Sequence, residues 1–188
     1  SFIIRHIQRQ SLKRAMNALL ALSRGIDRVN LLVGRGCMWL VLLVVLISAG
    51  NALVRKLFDT SSNAWLEIQW YLFSAMFLLA AGYALQQNAH IRIDIVASRL
   101  SKRAQAWIDV FGTLLFLLPL CSVMLYYGWP TFVDAWHSQE MSSDPGGLIR
   151  WPAFALIPAG FALLTLQGVS ELIKKLALAC GFSTAEAN

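Results

Sequence analysis

Residues 70–85 read WYLFSAMFLLAAGYAL and residues 111–129 read FGTLLFLLPLCSVMLYYGW, and neither run holds a charged side chain. A helix rises about 1.5 Å per residue, so roughly 20 residues cross a ~30 Å hydrocarbon layer. Each run reaches that length with its flanking interfacial residues. Between them lies a polar bend, Gln86-Gln87-Asn88-Ala89-His90-Ile91-Arg92-Ile93-Asp94, followed by Arg99, Lys102 and Arg103. Concentrated positive charge marks a cytoplasmic loop. The pattern predicts a transmembrane hairpin, and the rest of the chain is read outward from it.

Two further spans flank the hairpin. Residues 36–54 form the first, stopped by Arg55 and Lys56, and residues 151–174 form the last, stopped by Lys174 and Lys175. The hairpin helices are expected over 66–85 and 102–128. Ser101 is placed to cap the second of them, Asp94 to cap a helical turn in the bend, and Pro119 to kink the long third helix. The chain thus divides into a basic leader (1–35), a four-helix membrane domain (36–175) and a short tail (176–188). In the leader, Leu12, Met16, Leu19, Leu20, Ser23 and Ile26 fall near helical spacing, which predicts an amphipathic, interfacial helix. The first long apolar run starts after Arg35 and is long enough to stay in the membrane, so no cleavable signal is expected.

Charge placement sets orientation. Of the 16 lysines and arginines, thirteen sit in the leader, the bend and the segment after the last span. Only Arg55, Lys56 and Arg150 fall on the other side. Both termini are therefore expected in the cytoplasm, with Trp65, Trp70, Trp129, Trp136 and Trp151 forming a belt at the opposite interface. The net charge of +6 flanks membrane spans, which points to topology and anionic headgroups and away from nucleic acid. A mean hydropathy of +0.59 excludes an ordinary soluble domain. The expectation is an all-α integral membrane protein with four transmembrane helices.

The sequence offers no machinery for chemistry. His6, His90 and His137 lie outside the spans, where they cannot ligate an intramembrane haem. Cys37, Cys121 and Cys180 show no CxxC pairing and read as packing residues. No HExxH or Ser–His dyad falls in a span. The deepest polar groups, Asn51, Thr113, Thr165 and Gln167, are too scattered for a substrate cage. No catalytic, metal, substrate or cofactor site is expected. A four-helix membrane protein of this kind serves as a subunit.

Four segments, in order, carry a resemblance. Asn51-Ala52-Leu53-Val54-Arg55 with Phe58 resembles an N-x-x-x-R-x-x-F end of a first span. Glu67 with Tyr71-Leu72-Phe73 resembles the start of a second. His90-Ile91-Arg92-Ile93-Asp94 is similar to an H-[VI]-R-[VI]-D bend. Glu140-Met141-Ser142, Pro145-Gly146-Gly147 and Ile157-Pro158 resemble an E-x-S…P-G-G…I-P segment leading into a fourth. Together, over about residues 27–175, they resemble the small (DctQ-type) membrane subunit of the tripartite ATP-independent periplasmic (TRAP) transporters, and the run 140–157 resembles the mannitol/chloroaromatic-type branch. Many members carry a lysine four residues before the proline, where this chain has Phe154.

The resemblance implies a bacterial inner-membrane transport complex. In it a periplasmic (DctP-type) binding protein captures an organic acid or similar solute. A large (DctM-type) membrane subunit holds the substrate and sodium sites, and the small subunit packs against it as a scaffold. It marks Asn51, Arg55, Glu67, His90, Arg92, Asp94, Glu140, Ser142, Pro145, Gly146, Gly147 and Pro158 as structural or partner-contact positions. The short first connection suggests that Glu67 pairs with Arg55 or Lys56. Ala80, Ala81, Ala84, Ala159 and Gly160 are candidates for a seam with the large subunit. The competing reading is an unrelated four-span assembly or anchoring protein whose basic leader recruits lipid or a soluble partner.

Overall fold

The computed structural model describes residues 2–60, 62–87 and 101–179; at 2–9 and 11–13 it describes backbone alone. The expected positions His90, Arg92, Asp94 and Cys180 lie outside the described residues. Among the described residues, six helices, α1 to α6, make up four antiparallel segments. Each segment is long and apolar enough to cross a membrane: Arg14–Phe58, Asn63–Gln86, Lys102–Ser138 and Trp151–Ala179.

Helix α1, Phe2–Phe58, is 57 residues long. No proline interrupts it, and Leu, Ala and Arg, all strong helix formers, dominate its first half. Leader and first span are therefore one helix, about 85 Å by rise. Arg55 and Lys56 occupy its last turn, where they complement the dipole. Asp59, at φ 48°, ends it in the left-handed region, which a short polar side chain tolerates. The leader face named above from its spacing is turned toward a neighbouring helix: Leu20 and Ser23 are buried and Leu19 is exposed.

The second segment is α2, Asn63–Leu79, followed by α3, Ala81–Gln86. The interruption at Ala80 is slight, because Ala80 N–H still reaches Met76 O at 3.1 Å and Ala84 N–H reaches Ala80 O at 2.8 Å.

The third segment is α4, Lys102–Gly112, a π turn over Thr113–Leu117, and α5, Leu118–Ser138. Ser101 caps α4 as expected, its hydroxyl accepting from Ala104 N–H at 3.3 Å. The π turn stands just before Pro119. In a regular α-helix the ring would crowd the carbonyl four residues back. Here the Leu118 N–H bonds to Thr113 O, five residues back, which widens the helix at that point. The helix also outruns its expected end at Gly128. Pro130 sits inside it, and a ladder of rings holds the extra turns: Trp129–Phe132 at 5.8 Å, Phe132–Trp136 at 6.3 Å and Trp136–Trp151 at 4.5 Å between centroids. The last contact joins α5 to α6.

Helix α6, Trp151–Ala179, is the axis of the bundle and packs on every other helix. Its buried residues are small or polar, namely Pro158, Gly160, Gln167, Gly168, Ser170 and Ala177. Small side chains let backbones approach closely, which is how helices associate in lipid. At Gly160 a Cβ would lie 2.8 Å from Leu78 Cβ, so the position expected to face a partner is filled from within the chain. Its neighbour Ala159 is exposed.

The distribution of polarity is that of a membrane bundle. The largest fully buried side chains are Gln167, Asn30, Cys121, Ser23 and Ser170, while Trp39, Phe77, Phe116 and Tyr126 are each at least 70 % exposed. Apolar groups gain nothing by leaving lipid for the interior, whereas polar groups between helices must find partners.

Candidate functional site

Six of the residues marked by the resemblance, Glu67, Glu140, Ser142, Pro145, Gly146 and Gly147, gather at one end of the bundle, where the connection between α5 and α6 folds back on the start of α2. This connection, residues 139–150, is built as a small irregular hairpin. Met141 pairs with Ile149 in an antiparallel bridge. Ser142 N–H reaches Leu148 O at 2.9 Å and Arg150 N–H reaches Glu140 O at 3.0 Å. The side chains close the same ring, with Arg150 Nη1 2.5 Å from Glu140 Oε1. Pro145 and Gly146 form the tip. Gly146 takes φ 74°, a conformation that disfavours any residue with a Cβ.

Glu67, one turn into α2, fastens this hairpin. Its carboxylate accepts the Ser142 hydroxyl on Oε1 and the Leu148 N–H on Oε2, the latter at 2.6 Å. Tyr71, one turn farther along the same face, donates its hydroxyl to Ile149 O at 3.1 Å. Asn63 donates to Pro145 O at 3.0 Å. Gly147 lies directly over the carboxylate: a Cβ there would stand 2.6 Å from Glu67 Oε1 and 2.5 Å from Ser142 Cβ. The expected pairing of Glu67 with Arg55 or Lys56 is corrected by this arrangement. The helix start directs the carboxylate toward the hairpin, where a backbone N–H and a hydroxyl take both oxygens. Arg150 also lies over the ring of Phe154, 5.2 Å from its centroid, so the residue that replaces the family's lysine has a cationic neighbour of its own.

Asn51 and Arg55 are separate from the hairpin. With Ser48, Ala52, Lys56, Asp59 and Gln69 they line a cleft of about 520 Å³ between the ends of α1 and α2. Ser48 donates to Gln69 Oε1 across it at 2.9 Å. Pro158 is buried about two turns into α6 and belongs to packing.

At the opposite end, a polar seam joins α1 to α6, and the sequence reading missed it. Ser23 and Ser170 hydroxyls meet at 2.7 Å. Asp27 Oδ1 accepts from Ser170 Oγ at 2.7 Å and from Gln167 Nε2 at 2.8 Å. Lys174 Nζ lies 3.1 Å from Asp27 Oδ2 and 2.5 Å from Glu171 Oε1. Lys175 bonds Asp109 of α4 at 2.9 Å, extending the seam to a third helix. Asn30 caps this stack. It is fully buried, and its Oδ1 has no N–H or O–H donor. That oxygen rests against the Cα of Gly82, where a Cβ would collide with it; the contact has the form of a Cα–H···O bond between close-packed helices. The signal was present as a heptad-spaced run of small and polar residues, 23, 27, 30, 34 and 37, that continues from Leu20 through the basic leader.

Both ends position backbone and bind helices together. Among the described residues, no group of three or more His, Cys, Asp or Glu side chains is placed to hold a metal ion. Cys37 and Cys121 are buried free thiols.

Comparison with known proteins agrees with this architecture. No curated protein and no solved structure matches the chain significantly. Residues 43–178 match the family described as "Tripartite ATP-independent periplasmic transporters, DctQ component". The match runs from the first span through the fastened hairpin and past the polar seam on α6, and covers well over half of the 188 residues. The chain belongs to the DctQ-component family and is a small membrane subunit of a tripartite ATP-independent periplasmic transporter.

Proposed function

We propose that the chain is the scaffold of its transporter, a rigid body against which a large DctM-type subunit moves solute. The observation that carries this reading is the division of polarity. Ser23, Asp27, Gln167, Ser170, Glu171 and Lys174 bond to one another between helices, and Glu67 holds the hairpin. Broad apolar faces, including Leu32, Trp39 and Leu46 on α1, Phe116 in the π turn and Val123 and Tyr126 on α5, are turned outward. Such a body binds through its surface and keeps its polar groups for its own cohesion. In this reading uptake of an organic acid or similar solute is sodium-coupled, and both substrate and sodium belong to the large subunit. A DctP-type binding protein delivers solute from the periplasm.

In this reading both termini lie on the cytoplasmic side of the inner membrane, which the positions of thirteen of the sixteen basic residues support. The Glu67 hairpin then faces the periplasm. Deleting this chain from the complete system tests the reading: uptake is abolished, while the binding protein still binds solute with unchanged affinity. Saturable sodium-dependent uptake by vesicles containing this chain alone would overturn it.

A further inference from the structure

Because Glu67 is committed to the hairpin, Arg55 and Lys56 have no ion-pair partner among the described residues. They stand in the cleft between α1 and α2 with Asp59 as its one acid, leaving a net positive charge. Below this cleft, on the same pair of helices, runs a groove of about 390 Å³ lined by Val44, Gln69, Trp70, Phe73 and Ser74. Gln69 belongs to both. It is held by Ser48 through its oxygen, which leaves its amide N–H groups at the junction. From Val44 to Arg55 is three helical turns, about 16 Å, close to the ~15 Å hydrocarbon depth of one leaflet. A cationic mouth at the interface, two amide donors beneath it and an apolar groove that ends about one leaflet's depth below the mouth are together complementary to one amphiphile.

We propose that this cleft and groove bind an anionic phospholipid of the periplasmic leaflet, with its phosphate on Arg55 and Lys56 and one acyl chain along Val44, Trp70 and Phe73. A lysine or arginine near a membrane surface favours an acidic headgroup by about a factor of five. Bonding to the phosphate adds direction, because a guanidinium presents two parallel N–H donors to two oxygens. The shared Gln69 makes the site selective for a molecule that has both a phosphate and a chain. Asn51 and Arg55, two positions marked by the family resemblance, thereby acquire a ligand. The proposal rests on the membrane placement of α1 and α2 and is independent of the transport role, so either can fail alone.

The test uses the full chain, purified in detergent, delipidated and examined by native mass spectrometry with added lipid. Phosphatidylglycerol is expected to be retained at least about fivefold better than phosphatidylcholine of the same chains, the factor for the cleft's net single positive charge. Dioleoyl lipid should outlast dihexanoyl lipid, because the shorter chains barely enter the groove. Changing Arg55→Gln with Lys56→Gln should abolish the headgroup preference, and Arg14→Gln with Arg24→Gln should leave it intact. Circular dichroism on each variant establishes that the helices remain; Arg55→Lys with Lys56→Arg should preserve the preference. Three results would overturn the proposal: equal retention of the two headgroups, a preference that survives loss of both charges, or displacement of the lipid by equimolar inorganic phosphate or glycerophosphoglycerol, which would reveal a simple anion site.

Discussion

Gly147 shows how little room the hairpin leaves. The nearest atoms to an added Cβ are those of Ser142 and Glu67 themselves, so Gly147→Ala must push the serine off the carboxylate or lift the loop. Forced overpacking of this kind costs about 1–3 kcal/mol. Thermal unfolding in detergent should show the loss, with Ala153→Gly, on the neighbouring helix, as a control for glycine chemistry. Glu67 itself can be dissected by comparing two variants. Glu67→Gln keeps a carbonyl to accept one of its two bonds, whereas Glu67→Ala keeps neither. The glutamine variant should therefore melt between wild type and the alanine variant, and equal melting of the two would mean that Glu67 contributes only charge. The residues of this latch were legible in the sequence as a set, but their pairing was not. The short first connection made Arg55 and Lys56 the nearest bases to Glu67, and sequence distance says nothing about a partner eighty residues away.

Among the elements, the spans were readable because hydropathy and length decide them in lipid. The errors came where another force overrode that signal. Helix α5 passes Gly128 and carries Pro130 where edge-to-face and tilted ring contacts support it, and such contacts depend on which residues meet in space. The leader's helical spacing of apolar residues is readable as an amphipathic helix; that its inward face, from Leu20 to Cys37, packs as a seam against a neighbouring helix is not. Asp27 looked like a lone acid among bases and is in fact the centre of that seam. A double-mutant cycle measures it. Asp27→Ala, Gln167→Leu and the pair should give a coupling of about 0.6 to 2 kcal/mol, the range for polar contacts between membrane helices. Additive effects would mean that the two side chains act separately and that the seam is held by packing alone. A second contrast separates internal seam from outer surface. Gly160→Leu drives a side chain into Leu78 and should prevent recovery of folded subunit. Ala159→Leu, one residue away and exposed, should leave the isolated subunit's melting unchanged.

For the whole molecule, the two ends differ in kind, and the difference bears on assembly. One end is closed by a hairpin whose backbone and side chains are tied to α2; the other is a three-helix stalk of α1, α4 and α6 held by ion pairs and hydroxyls. Between them the surface is apolar on the sides of α1 and α5. A scaffold needs this combination, since a partner that slides must push against a body that does not deform. Loosening the body without touching its outer surface should therefore damage transport in a particular way. Asp27→Asn or Gly147→Ala should leave the binding protein's affinity for solute unchanged and should still allow the complex to be recovered at low temperature. Uptake should fall, and fall more steeply with temperature than in wild type, as the weakened seam or hairpin opens. Ala159→Leu should do the reverse if its face meets the large subunit: an intact small subunit, and reduced recovery of the complex at every temperature. The two signatures are separable by measuring subunit melting, complex recovery and uptake on the same preparations. If loosened variants transport normally while their isolated subunits melt early, rigidity is not what this chain contributes, and the scaffold reading would have to give way to one in which it only delivers or retains the large subunit in the membrane.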